Sequence, residues 1–74
     1  MRALLRDKED STLIAVSVNS ICYSPEALEL YIDTGHSSYT VERIIQANAD
    51  SLIRELFENG KADMTNYQAT IDEE

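Results

Sequence analysis

Leu28-Glu29-Leu30-Tyr31-Ile32-Asp33-Thr34-Gly35-His36-Ser37-Ser38-Tyr39-Thr40-Val41 (residues 28–41) decides the fold of this chain. Leu28, Leu30 and Ile32 alternate with Glu29, Tyr31 and Asp33, the period-two pattern of a half-buried strand. Thr34-Gly35-His36-Ser37 then suits a type II′ turn, because Gly opens a two-residue loop at positive φ without steric cost. With that loop, Ile32 faces Tyr39 and Leu30 faces Val41 across an antiparallel ladder. All four apolar side chains fall on one face, as a consistent register demands.

Working back from the hairpin, Ser24-Pro25-Glu26-Ala27 reads as a type I turn with Pro25 pre-setting φ at its second position. The same arithmetic places Tyr23 opposite Leu28 and Ile21 opposite Leu30. Further upstream the apolar residues Ile14, Val16 and Val18 have the opposite parity. A bulge near Asn19-Ser20, which inserts one residue, returns both sets to one face. Arg2 to Arg6 reads as a first strand, joined to the next through the polar turn Asp7 to Ser11.

Working forward, the period changes. Ala49, Leu52, Ile53, Leu56 and Phe57 recur at three and four, the apolar stripe of an amphipathic helix. Asn48 is the candidate N-cap, with Asp50 in the first turn to complement the dipole. Val41, Ile44 and Ile45 also fit an extended stripe, so the start lies near either Val41 or Asn48. The β-branched and aromatic run Tyr39-Thr40-Val41 favours a strand to about Ile44. Gly60 sits where a left-handed C-terminal cap belongs. Residues 61–74 read as a C-terminal tail in which Tyr67, Ala69 and Ile71 alternate as a short edge strand, with Asp72 to Glu74 fraying. The expected fold is therefore a single α+β domain over residues 1–74. It is a small two-layer domain, an antiparallel four-stranded meander (β-β-β-β-α) with one amphipathic helix packed on one face.

Composition narrows the function classes. The 74 residues carry 14 acids against 6 bases, a net charge of −8. Between Ser11 and Glu42 there is no Lys or Arg, while Glu26, Glu29, Asp33 and Glu42 are present. Such a field repels phosphate, so neither direct nucleic-acid binding nor an anionic membrane surface is expected. A single cysteine, Cys22, rules out an internal disulfide and a Cys-rich zinc site. It fits a reducing compartment, and a cytoplasmic location is expected. The stretch Met1 to Asp10 alternates charge where a signal peptide needs an apolar run. A domain this short has a thin core, and small domains often gain stability from a second subunit, so a homodimer is among the expected partners.

Few residues carry chemistry. Asp33-Thr34-Gly35 resembles the Asp-Thr-Gly signature of aspartic proteases, in which two such loops bring two carboxylates together. The resemblance covers one copy of three residues, and would imply a dimeric site at Asp33. His36 replaces the small residue that follows Gly in that family, and Asp and Gly are ordinary turn residues. His36, the only histidine, lacks the partners of a metal site or a triad. Cys22 lies in a segment with acids but without the cations that activate a thiol. The acidic end of the chain lacks the alternating ligands and closing Glu of a calcium loop. No catalytic residue, cofactor or metal site is therefore assigned.

The carboxylates carry more. Glu29, Asp33 and Glu42 project from the face opposite the helix, with Tyr31 and Thr40 among them, and Glu29 is expected directly across from Glu42. Tyrosine is a common interface anchor. Glu29, Tyr31, Asp33, Thr40 and Glu42 are accordingly the candidate partner-binding residues. The expected function is a small acidic non-enzymatic protein, regulatory or accessory, that docks another protein with a basic surface. The alternatives are an acidic inhibitor mimicking nucleic acid against a DNA-handling enzyme, and a structural oligomerisation unit.

Overall fold

The structure, a computed structural model, describes residues 1–72. It contains β1 (Arg2–Asp7), β2 (Leu13–Ser17), β3 (Ser20–Ser24), β4 (Glu29–Asp33), β5 (Ser38–Val41), α1 (Gln46–Asn59) and β6 (Lys61–Asp72). The described residues form a small α+β domain with one helix and one six-stranded mixed sheet, in the order β2-β1-β6-β5-β4-β3. The expected hairpin is present in its expected register, Ile32 opposite Tyr39 and Leu30 opposite Val41. Gly35 has φ 89° and His36 does not share the positive value, as a type II′ turn requires.

The four-stranded meander is incomplete, and the missing piece is the C-terminal segment. Residues read as a tail form β6, the longest strand, which lies inside the sheet. It runs antiparallel to β5, with Val41 opposite Ala69, and parallel to β1, with Ala3 opposite Ala62. Between Leu4 and Arg6 on β1, the facing positions on β6 jump from Asp63 to Gln68. That irregularity hides the strand's pattern, because it breaks the period-two alternation on which a strand is recognised. Met64 and Ala69 are both buried although their parity differs. Of the terminal acids expected to fray, Glu73 and Glu74 lie outside the described residues.

A second correction concerns Asn19-Ser20. No bulge joins two halves of one straight strand. The chain instead turns a corner at Val18-Asn19 between β2 and β3, which occupy the two opposite edges of the sheet. Five strand spacings of about 4.8 Å would put the edges of a flat sheet about 24 Å apart. Three chain steps from Ser17 to Ser20 reach only about 10 Å. The sheet must therefore curl until its edges meet at this corner, where Val18 N–H donates to the Met1 carbonyl (2.8 Å) and Asn19 N–H to that of Asp33 (2.7 Å). The parity change is what such a corner needs. Val16 and Val18 before it are buried, and Ile21 and Tyr23 after it pack on the same core.

The turn at Pro25 is two residues longer than expected, so Tyr23 faces Leu30 and Ile21 faces Ile32. A shift of two preserves the face, and the apolar set stays inward. The extra length places Leu28 at φ 56°, where its carbonyl accepts the Ile44 N–H at 2.9 Å. This bond ties the β3–β4 turn to the segment entering the helix. Tyr23 adds a second tie, its hydroxyl donating to the Ile44 carbonyl at 2.6 Å.

β5 ends at Val41 rather than near Ile44, because Arg43 adopts φ 56° and redirects the chain. α1 begins at Gln46, so neither expected start is observed. Ile45 occupies the N-cap without a side-chain hydrogen bond, and Asn48 and Asp50 lie within the helix. The C-terminal cap is as expected, Gly60 at φ 77° with its N–H on the Leu56 carbonyl at 2.9 Å. Ala49 and Leu56 are fully buried, while Leu52 and Ile53 pack partly against the core. Phe57, expected in the stripe, is 68% exposed. At 3.6 residues per turn, Phe57 points about 100° away from Leu56, past the edge of the buried face.

Candidate functional site

The outer face of β3, β4 and β5 carries the residues singled out for docking. Alternation along each strand turns Leu30, Ile32, Tyr39 and Val41 inward, and so turns their neighbours outward. Cross-strand rows on the outside follow from the register. Ser20 faces Asp33, which faces Ser38; Cys22 faces Tyr31, which faces Thr40, which faces Thr70. A shallow depression of about 310 Å³ lies among Ser20, Cys22, Tyr31, Asp33 and Ser38.

The five candidate residues are not equally available. Asp33 is exposed, and its Oδ1 accepts the Gly35 N–H at 2.8 Å, closing an Asx turn over the hairpin loop. This is what Asp33-Thr34-Gly35 does here. Thr34 contributes in the same way, its Oγ1 accepting the Ser37 N–H at 3.1 Å. Tyr31 is half-buried and its hydroxyl donates to Glu29 Oε1 at 2.8 Å, which fixes the ring and the carboxylate together. Thr40 is only 7% exposed, flanked in its row by Tyr31 and Thr70. It belongs to the sheet more than to a contact surface.

Glu42 also departs from expectation. It does not meet Glu29 as a like-charge pair, because β5 ends one residue earlier and the Glu42 N–H turns to the Gln68 carbonyl at 2.9 Å. Its carboxylate reaches Lys8, with Nζ 3.0 Å from Oε2 and 3.2 Å from Oε1. One of the few bases thus neutralises one acid of the face. Nothing in the sequence announces this pair, since it depends on β6 bringing β1 beside β5. What remains of the anionic group is Glu29 and Asp33, with the half-buried Tyr31 bonded to Glu29 and with Ser20 and Cys22 beside them. Those two follow from the parity of β3 once its pairing with β4 is known.

His36 is exposed in the hairpin loop and Cys22 is an exposed free thiol. Among the described residues, no group of three or more His, Cys, Asp or Glu side chains is placed to hold a metal ion. No helix of the described residues is long and apolar enough to cross a membrane. Among the described residues, Asp10 and Asp63 have carboxyls held below the ordinary aspartate range, both outside this face. The Thr12 hydroxyl (2.6 Å) and N–H (3.0 Å) donate to Asp10, and the Thr65 hydroxyl (2.6 Å) and N–H (2.9 Å) donate to Asp63. In each case the hydroxyl bond is the largest cause, since it favours the charged form. No protein-family model, curated protein or solved structure matches the chain.

Proposed function

We propose that this is a non-enzymatic interaction module of the cytoplasm that docks a basic protein surface on the outer face of β3, β4 and β5. One observation carries the reading. Glu29 and Asp33 stand on a strand-built face drawn from a segment, Ser11 to Glu42, that contains no Lys or Arg. A single-signed face focuses its field, steers an oppositely charged partner and rejects like-charged ones. The Tyr31 ring, held by its bond to Glu29, offers an aromatic anchor at the centre of the group.

The test neutralises the charge without disturbing the hydrogen bonds. In Glu29→Gln with Asp33→Asn, the amide oxygens still accept from the Tyr31 hydroxyl and the Gly35 N–H. The tagged wild-type protein and this variant are used to capture proteins from native lysate at low and moderate salt, followed by mass spectrometry. A basic protein held by the wild type, released by salt and lost by the folded variant supports the reading. Equal capture by both proteins refutes it.

A further inference from the structure

The two ends of the curled sheet are not protected alike. α1 lies against β3 and β6, and Tyr23 of β3 is tied to Ile44 just before the helix. Of the described elements, β1 alone packs closely on β2. β2 is therefore an edge strand, bonded on one side to β1 and joined through the Val18-Asn19 corner to the strand at the opposite edge. The hydrogen bonds say which of its groups are open. Asp7 N–H donates to the Thr12 carbonyl, and Val18 N–H to that of Met1, both in the register that pairs β1 with β2. In an antiparallel ladder, bonded and non-bonded pairs alternate, so Thr12, Ile14, Val16 and Val18 turn their backbone groups to β1. Leu13, Ala15 and Ser17 turn theirs away from the sheet.

Native edges are usually blunted by Lys, Pro, an inward charge or a bulge. Leu13-Ile14-Ala15-Val16-Ser17 has none of these, and its register with β1 is unbroken. In a chain of net charge −8, this is a strand without a carboxylate, so two copies of it oppose no like charges within the strand itself. It is also self-complementary about Ala15. Reversed on itself, Ala15 meets Ala15, and β-branched Ile14 meets β-branched Val16 on the core side. Leu13, 55% exposed, meets the small Ser17 on the outer side, next to Ala15.

We propose that β2 pairs antiparallel with β2 of a second copy of this chain, about a twofold axis at Ala15. The open N–H and C=O groups of Leu13, Ala15 and Ser17 then bond to those of Ser17, Ala15 and Leu13 in the other copy. The two curled sheets become one continuous sheet. The edge adjoins a groove of about 330 Å³ that Leu4, Ala15 and Ala62 line together with the oppositely charged Arg2, Lys61, Glu55 and Asp63, and the second copy's Leu13 closes over its margin. The surface differs from the carboxylate face, so the two associations are independent.

Sedimentation equilibrium at high micromolar concentration tests the pairing. The wild type is expected at twice the chain mass, with dimer favoured by added salt as repulsion between two acidic copies is screened. Ala15→Lys sets two ammonium groups directly opposite each other, and Ala15→Pro removes an outward N–H that the monomer does not use. Both variants are expected to sediment at the chain mass with an unchanged circular dichroism spectrum, while Glu29→Gln with Asp33→Asn stays dimeric. Should the Pro variant not fold, hydrogen exchange on the wild type decides. The Leu13, Ala15 and Ser17 amides become protected as concentration rises through the dimer range. A monomeric wild type, a dimer that survives at Ala15→Lys, or rapid exchange at these amides in a dimer overturns the proposal.

Discussion

Leu56 and Phe57 are adjacent, both apolar, and placed by the helix in opposite situations, so truncating each in turn measures the orientation of α1. Leu56 is fully buried and packs in the same core cluster as Leu5, Leu30, Val41 and Met64. Leu56→Ala removes buried methyl groups and leaves a cavity, which costs about 2–5 kcal/mol in well-packed cores. The upper half of that range is expected, because Leu56 has no exposed surface and its whole side chain is lost from the core. At about 0.05–0.15 kcal/mol per residue, the whole domain holds only about 4–11 kcal/mol. Phe57, 68% exposed, removes little area from water, and Phe57→Ala should change stability by no more than about 0.5 kcal/mol. Urea unfolding followed by circular dichroism, at one fixed protein concentration, reads both. With a slope of about 1 kcal/mol/M for so small a domain, Leu56→Ala lowers the midpoint by several molar or unfolds the protein outright. Equal losses in the two variants, or a larger one at Phe57, would mean that the helix is rotated from the position described.

Gly60→Ala should cost about 1 kcal/mol in the same assay. A Cβ there meets no atom within 4 Å, so the cost comes from the left-handed backbone at φ 77° and not from a clash. Acid should destabilise the protein through Asp10 and Asp63. Both carboxyls titrate lower in the folded state than in the unfolded chain, so their contribution is fully present above about pH 4 and is lost as pH falls through the folded values. Thr65→Val removes the hydroxyl donor and should leave a shallower acid limb in a plot of urea midpoint against pH. An unchanged limb would show that the hydroxyl bond does not hold the Asp63 carboxyl down.

Local rules carried the central part of the molecule. From Leu28 to Val41 one strand period, one Gly at positive φ and one register agree, so the hairpin was readable in sequence with its pairing. Gly60 was equally readable, because a single residue answers a single backbone requirement. What escaped were features set by distant partners. β6 is a strand because β1 and β5 lie on either side of it, and its irregular stretch around Thr65 answers to β1, not to its own alternation. The Arg6 side chain spans this stretch, its Nε donating to the Thr65 carbonyl at 3.0 Å. Of the docking residues, the outward parity of Glu29, Tyr31 and Asp33 was legible. The burial of Thr40 and the pairing of Glu42 with Lys8 were not, since both require β6 beside β5.

The parity conflict before Asn19 illustrates how a correct signal can receive the wrong mechanism. Ile14, Val16 and Val18 on one parity, with Ile21 and Tyr23 on the other, require one switch of face between Val18 and Ile21. A bulge and a corner both supply it, and local sequence does not separate them. The choice follows from β6, which inserts between β1 and β5 and drives β2 and β3 to opposite edges of the sheet. A two-residue link cannot cross a flat sheet of that width, so the corner and the curl are one consequence of the same insertion. That geometry also separates the two surfaces of interest. β3 turns its outer face toward solvent beside Glu29 and Asp33 while its edge is shielded near the helix. β2, before the corner, is left as the other edge strand, with no charged residue of its own.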